Sequence, residues 1–169
     1  MAVLSYDGRH LLETMLPSLA AQEFRDYRVV VVDNGSSDGT AGWLAEHWPQ
    51  VAVVALPDNV GVTPALNVCV REARTEFVGL FNNDLELHPA ALGELVGALR
   101  EHPQAASAGA KLVDFHDHAV LDGAGDTFAW AGTGDRRGHG ERDRGQYDQP
   151  GEFFGACGGA AVYRRAAFE

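Results

Sequence analysis

Arg28-Val29-Val30-Val31-Val32-Asp33-Asn34-Gly35-Ser36-Ser37-Asp38-Gly39-Thr40 is a β-branched run that ends in a carboxylate and breaks into a turn. Valines on both faces of one short strand predict an interior strand of a sheet covered on both sides, the pattern of a parallel sheet. The polar residues after Asp33 are turn and cap formers, and they lead into a helical pattern carrying Trp43, Leu44 and Trp48.

The same alternation continues outward in both directions. Upstream, Val3 to Ser5 reads as a short strand, and Leu11, Leu12, Met15, Leu16 and Leu19 recur at helical spacing. Pro17 is expected to kink or loosen that helix. Downstream, Val51 to Leu56 is a strand and Pro57 to Gly61 a loop. A helix then follows with Thr63 as N-cap, Pro64 at its first position, and a buried stripe of Leu66, Cys69, Val70 and Ala73. Glu76 to Phe81 is another buried strand, and Pro89 opens a helix with Leu92, Leu95, Val96 and Leu99 inward. Strand and helix in turn predict βαβ units, an α/β fold with a Rossmann-like, mostly parallel sheet.

Past residue 104 the pattern changes. Ala105 to Val113 and Phe153 to Arg164 read as strands, a small antiparallel addition near the C-terminus. Residues 133–151 are rich in Gly, Arg, Asp and Gln, and read as a mobile loop. One domain over 1–169 is expected, since no internal repeat or second core is visible.

Composition narrows the function. Lys and Arg number 13 against 24 Asp and Glu, a formal charge of −11. That excludes a nucleic-acid binder working through a basic face, but not a phosphorylated small molecule bridged by a divalent metal. Two cysteines are too few for a disulfide framework or a structural zinc site, and Cys69 and Cys157 read as packing residues. No apolar run is long enough to span a membrane, and no basic region precedes the first strand, so a cytoplasmic location without a signal peptide is expected.

In an open parallel sheet, ligands bind beyond the carboxyl ends of the strands. Three polar clusters fall at such ends: Ser5-Tyr6-Asp7, Asp33-Asn34-Gly35-Ser36 and Asn82-Asn83-Asp84. Asp33, at the end of its valine run, needs a hydrogen-bonding partner. That partner could be a nucleobase N–H, a ribose hydroxyl, or the turn that follows. Asp84 among amides suits a hard cation shared with a diphosphate, although Asn-Asn-Asp stretches are also ordinary turns. His116-Asp117-His118, near Asp114 and Asp122, is a second metal candidate. The stretch reads better as an exposed turn than as a metal site.

Val29 to Thr40 closely resembles the nucleotide-binding segment of family 2 glycosyltransferases of the GT-A fold. Asn59-Val60-Gly61 and Ala65-Leu66-Asn67 look like that family's second block, and Leu16-Pro17-Ser18-Leu19 also matches. Phe81-Asn82-Asn83-Asp84 falls where the family keeps its Asp-x-Asp motif, in a variant similar to the rhamnosyltransferase-like branch. The resemblance implies a GT-A nucleotide-sugar-binding domain. Ser5 and Tyr6 would lie beside the base, Asp33 on the base or ribose, and Asn82 at a ribose hydroxyl, with Asn83 also binding the nucleotide. Gly61 and Asn67 would shape the wall near the diphosphate, and Asn59 would also bind the nucleotide. Asp84 would be the ligand of Mn2+ or Mg2+, with Glu86 a lesser helper, and Asn82 would bring no charge to the metal. Phe154 to Ala160 resembles the glycine-containing strand on the sugar and acceptor side.

The activity implied is inverting transfer from a dTDP- or UDP-sugar to a hydroxyl of a glycan or lipid-linked acceptor, as in polysaccharide biosynthesis. A longer protein of this kind can associate peripherally with a membrane. No residue here matches the family's general base, which is expected beyond Glu169, so a chain truncated at its C-terminal end is expected. Two alternatives stand beside this reading. A sugar-1-phosphate nucleotidyltransferase shares the architecture but needs a basic, glycine-rich loop where this chain has Asp7-Gly8-Arg9-His10. A catalytically incomplete donor-binding or assembly module is favoured by Asn82 and by the missing base.

Overall fold

Odd and even residues part to opposite faces of one sheet. The computed structural model describes residues 1–169. Its first half runs β1 (Ala2–Ser5), α1 (Arg9–Ala20), β2 (Val30–Asp33), α2 (Thr40–His47), β3 (Ala52–Ala55), α3 (Val62–Glu72), β4 (Phe77–Asn82) and α4 (Ala91–Glu101). Short strands follow: β5 (Ser107–Gly109), β6 (Leu112–Val113), β7 (Leu121–Gly123), β8 (Asp126–Phe128) and β9 (Gly134–Arg136), then β10 (Ala160–Arg164) and a 3-10 turn over Arg165–Phe168. Six strands form the main sheet in the order β3-β2-β1-β4-β10-β5. β1 to β4 are mutually parallel, and β10 is antiparallel to both β4 and β5.

Val3, Val31 and Phe81 point to the face covered by α1, α2 and α4, where they join Leu12, Leu16, Leu44 and Leu99 in the larger core. Ala2, Val32, Val78 and Leu80 point to the other face, against Cys69 of α3. Strand side chains alternate with period two, so valines in sequence serve both cores. Burial raises the Cys69 thiol to about 11, which marks it as a core residue and not a nucleophile.

Several local expectations shift. α1 runs unbroken through Pro17, which sits on its exposed side in the last turns; the Glu13 carbonyl it leaves unbonded is on the solvent face, where water can satisfy it. α3 begins at Val62 after Gly61, so Thr63 is not its cap and Pro64 is its third residue, a position whose missing N–H also costs no helical bond. Its buried stripe is Ala65 and Cys69, with Leu66 only half-buried. α4 starts two residues after Pro89, with all four expected side chains buried.

The span 105–113 is two strands, because β10 offers no partner beyond Ala160 and the chain turns away to pair β6 with β7. Within 153–164 only Ala160–Arg164 is strand, and the glycine-bearing stretch before it is irregular. Residues 133–151, expected as a mobile loop, contain β9, which pairs with β8. Lys111 also reaches into that stretch, bonding Asp143 at 2.8 Å and Asp148 at 2.5 Å. Cys157 is buried, as a packing residue should be. No helix is long and apolar enough to cross a membrane.

Candidate active site

Three parallel neighbours, β2, β1 and β4, end at the same rim. Ser5 pairs in register with Asp33, and Leu4 with Asn82, so the three polar clusters predicted at strand ends lie side by side. Adjacent strands are about 4.8 Å apart, which puts the ends of β2 and β4 about 10 Å from each other across β1.

The first two clusters are sewn together. Ser36 N donates to Asp33 Oδ1 at 3.1 Å, and the Ser36 hydroxyl donates to the same oxygen. That hydroxyl also accepts from Asp7 N at 2.9 Å, while Asp7 Oδ1 accepts from Ser37 N at 2.7 Å. Asp7 takes a left-handed conformation (φ 46°) to make this turn. Asp33 is 3% exposed and therefore does cap its turn, through one oxygen; Oδ2 has no partner within the chain and is not sealed from solvent.

Asp38 joins the starts of two helices. Its Oδ2 accepts from Arg9 N at 3.0 Å, at the head of α1, and its Oδ1 accepts from Thr40 N at 3.0 Å, at the head of α2. Burial works to raise its carboxyl, but the Thr40 hydroxyl and the Arg9 and Thr40 amides outweigh it and hold the group below the ordinary carboxylate value.

Asn34 fixes the third loop. Its Nδ2 donates to Asn59 Oδ1 at 3.0 Å, and its Oδ1 accepts from Val60 N at 3.1 Å. Asn59 Oδ1 in turn accepts from Gly61 N at 2.9 Å. Gly35 (φ +79°) lets the two loops touch, because a Cβ there would sit 2.4 Å from the carbonyl carbon of Asp58.

Asn83 Nδ2 donates to Ser5 Oγ at 3.0 Å. Gly8 accommodates that amide, since a Cβ on Gly8 would lie 2.0 Å from it. Asn82 is exposed, with its amide N bonded to Gly159 O at 2.9 Å. Asp84 and Glu86 are exposed and have no hydrogen-bond partner in the chain. The stretch following Asp84 is anchored from α1 and the turn just after it. Ser18 Oγ accepts from Leu87 N at 3.0 Å, and fully buried Gln22 donates to His88 O at 2.9 Å and accepts from Leu92 N at 3.0 Å.

The rim thus brings together Ser5, Asp33, Asn59, Gly61, Asn82, Asn83 and Asp84, with Tyr6 half-exposed beside them. Asn67 lies apart: two residues from both Ala65 and Cys69, it is on the outward face of α3. Asn34, Ser36, Asp7 and Asp38, read from the sequence only as members of polar clusters and turns, hold the loops in place. The only residue-type signal for them was the density of Asn, Ser and Asp after each strand.

No cluster of three carboxylate, histidine or cysteine side chains exists to hold a metal by protein alone. His116 and Asp117 belong instead to a turn closed by Asp114, whose Oδ1 accepts both their amides at 2.9 and 2.8 Å. On the rim, Asp84 offers one exposed carboxylate and Asn82, two residues before it, a neutral amide, too few protein oxygens to fill the shell of a hard cation by themselves. Arg9 is the one permanent cation among the rim residues, and it is engaged by Glu13 at 3.3 Å and by the Trp43 ring.

The fold has solved counterparts. The Staphylococcus aureus TarS fragment 1–349 in complex with UDP-GlcNAc superposes with a TM-score of 0.69 at 21% identity, covering 98% of this chain and 46% of that one. The mannosyltransferase PcManGT from Pyrobaculum calidifontis, in complex with GDP-Man and Mn2+, gives 0.67 at 22% identity over 98% and 44%. These are GT-A glycosyltransferases, and the architecture here is theirs. In sequence, an N-acetylglucosaminyl-diphospho-decaprenol L-rhamnosyltransferase of Mycobacterium tuberculosis is 27% identical over 125 residues, 68% of this chain and 40% of the relative. The succinoglycan biosynthesis protein ExoO of Rhizobium meliloti is 31% identical over 123 residues, 72% of this chain and 34% of the relative. The chain therefore spans about 40% or less of the length of these curated relatives. Residues 2–169 match Glycosyl transferase family 2, and the chain belongs to that family.

Proposed function

We propose that this domain binds a nucleoside-diphosphate sugar, of the dTDP or UDP class, across the rim of β2, β1 and β4, and that the protein transfers the sugar to an acceptor hydroxyl with inversion. The observation that carries the reading is the in-register convergence of Ser5, Asp33 and Asn82 to Asp84 on one rim. Oδ2 of Asp33, which has no partner within the chain, would accept from a base or ribose. The diphosphate would meet amides and the Asp84 carboxylate, so a divalent cation would supply the positive charge that offsets its own.

Asp84 would hold Mn2+ or Mg2+ together with the phosphate oxygens; the ion supplies charge that offsets the negative charge growing on the departing diphosphate. Asn83 and Ser5 set the position of the stretch that carries Asp84, and Ser18 and Gln22 limit its movement on the other side. The PcManGT complex with GDP-Man and Mn2+ and the TarS complex with UDP-GlcNAc support both halves of this reading by analogy of fold. A crystal soaked with UDP or dTDP and MnCl2 tests it. The expected result is a base beside Asp33 with the metal on Asp84; ordered nucleotide elsewhere on the molecule would refute it.

A further inference from the structure

The β8–β9 hairpin leaves aromatic surface in water that the donor rim does not use. Phe128 is 54% exposed, Phe154 74%, and Trp130, in the hairpin turn, is fully exposed. The Phe128 and Phe154 rings stack at 5.0 Å between centroids and 20° between planes. They line an open cleft of about 440 Å³ whose other walls include Asp126, Asp135 and Arg136. Its frame is built, not loose. Asp126 bridges to Gly155, Thr127 Oγ1 donates to Asp135 O at 3.2 Å, and the Arg136 guanidinium is held by both oxygens of Asp122 at 2.8 Å.

We infer that this cleft is a saccharide-binding site, with an outer face of the Phe128–Phe154 stack as the surface on which a pyranose ring packs, each ring holding the other in place. A pyranose presents C–H groups on its faces and hydroxyls around its edge. An aromatic floor with carboxylate and guanidinium walls matches both, and the volume falls in the roughly 300–1,000 Å³ range of small-ligand sites. A bilayer suits the cleft less well, because charged walls flank the rings and the chain carries a formal charge of −11. A second copy would face the same repulsion.

The location is consistent with an acceptor, and in that respect the inference rests on the transferase reading. Phe154 lies five residues before Gly159, whose carbonyl accepts from Asn82 N at 2.9 Å. Chain geometry therefore keeps the platform within about 18 Å of the rim. A saccharide seated there could extend a hydroxyl toward the sugar of a donor bound at Asp33 and Asp84.

The test uses the 169-residue chain with chitotetraose and cellotetraose, β-linked chains whose flat faces suit stacked rings, and with no nucleotide or metal present. Saturation-transfer NMR is expected to show the sugar ring protons in contact with the protein. Phe128→Ala and Phe154→Ala should each weaken the Kd by about five- to tenfold, with Phe154→Tyr close to the parent. Both phenylalanines are exposed, so melting temperatures should not move, and Phe154→Leu separates ring stacking from general apolarity. Contact with neither oligosaccharide, or equal binding by the alanine variants, would overturn the proposal. So would Phe128- and Phe154-dependent binding to phosphatidylcholine vesicles without saccharide binding. Nucleotide affinity is measured separately, so failure here with intact UDP binding removes this site alone and leaves the donor reading standing.

Discussion

Asn83 Nδ2 reaches Ser5 Oγ at 3.0 Å across 78 residues of sequence, tying the stretch that carries Asp84 to the end of the central strand β1. Ser5 is 1% exposed, so either partner left alone is costly. A double-mutant cycle of Ser5→Ala and Asn83→Ala in urea unfolding should give a coupling of about 0.5–1.5 kcal/mol. A coupling near zero would show that the two loops are positioned independently.

Asp33 has two duties on two oxygens. Asp33→Ala should cost about 1–3 kcal/mol of stability, because the Ser36 amide and hydroxyl lose their acceptor. It should also weaken UDP binding whether or not manganese is present. Lost stability with unaltered affinity would leave Asp33 as a turn cap only.

Asp38 predicts an acid limit. Its carboxyl titrates lower in the folded chain than the ordinary 3.8, held there against partial burial by Thr40 and Arg9. A group depressed on folding contributes stability that is present above its unfolded pKa and is lost as pH falls through the folded value. Wild type should therefore exceed Asp38→Asn in stability near neutrality, and the gap should close below about pH 4. A gap that persists in acid would mean that the neutral side chain caps the two helices equally well. Added salt should narrow it at neutral pH, because Asp38 is exposed.

Gly35→Ala tests the contact between the β2 and β3 loops. The left-handed backbone and the 2.4 Å approach to Asp58 both oppose a Cβ. A loss above about 1 kcal/mol is expected, together with weaker nucleotide binding as the loop carrying Asn59 and Gly61 moves. Unchanged melting would show that the loop is free to shift.

The parallel half of the fold was legible because its residues carry local signals. Four valines before Asp33 and the Leu92, Leu95, Val96, Leu99 stripe each specify an element within one window of sequence. The alignment of Ser5, Asp33 and Asn82 on one rim followed from strand-end polarity alone. Partnerships such as Asp38 with Arg9, Asn34 with Val60 and Gln22 with Leu92 were not legible, since they join residues 26 to 70 apart. The same holds past residue 104, where β5 to β9 are two or three residues long and owe their existence to partners, not to periodicity. The outward position of Asn67 follows from the helix burying Ala65 and Cys69, which puts Asn67 on the opposite face.

Calorimetric titration of UDP or dTDP into the wild-type chain and Asp84→Asn, each with and without MnCl2, bears most directly on the donor site. Wild type should bind more tightly with manganese, and Asp84→Asn should lose about tenfold or more in manganese while matching wild type without it. Its melting temperature should hold, because Asp84 is exposed at the rim. Equal affinities for the two proteins in manganese, or no binding of either nucleotide, would contradict a metal-bridged diphosphate between Asp33 and Asp84.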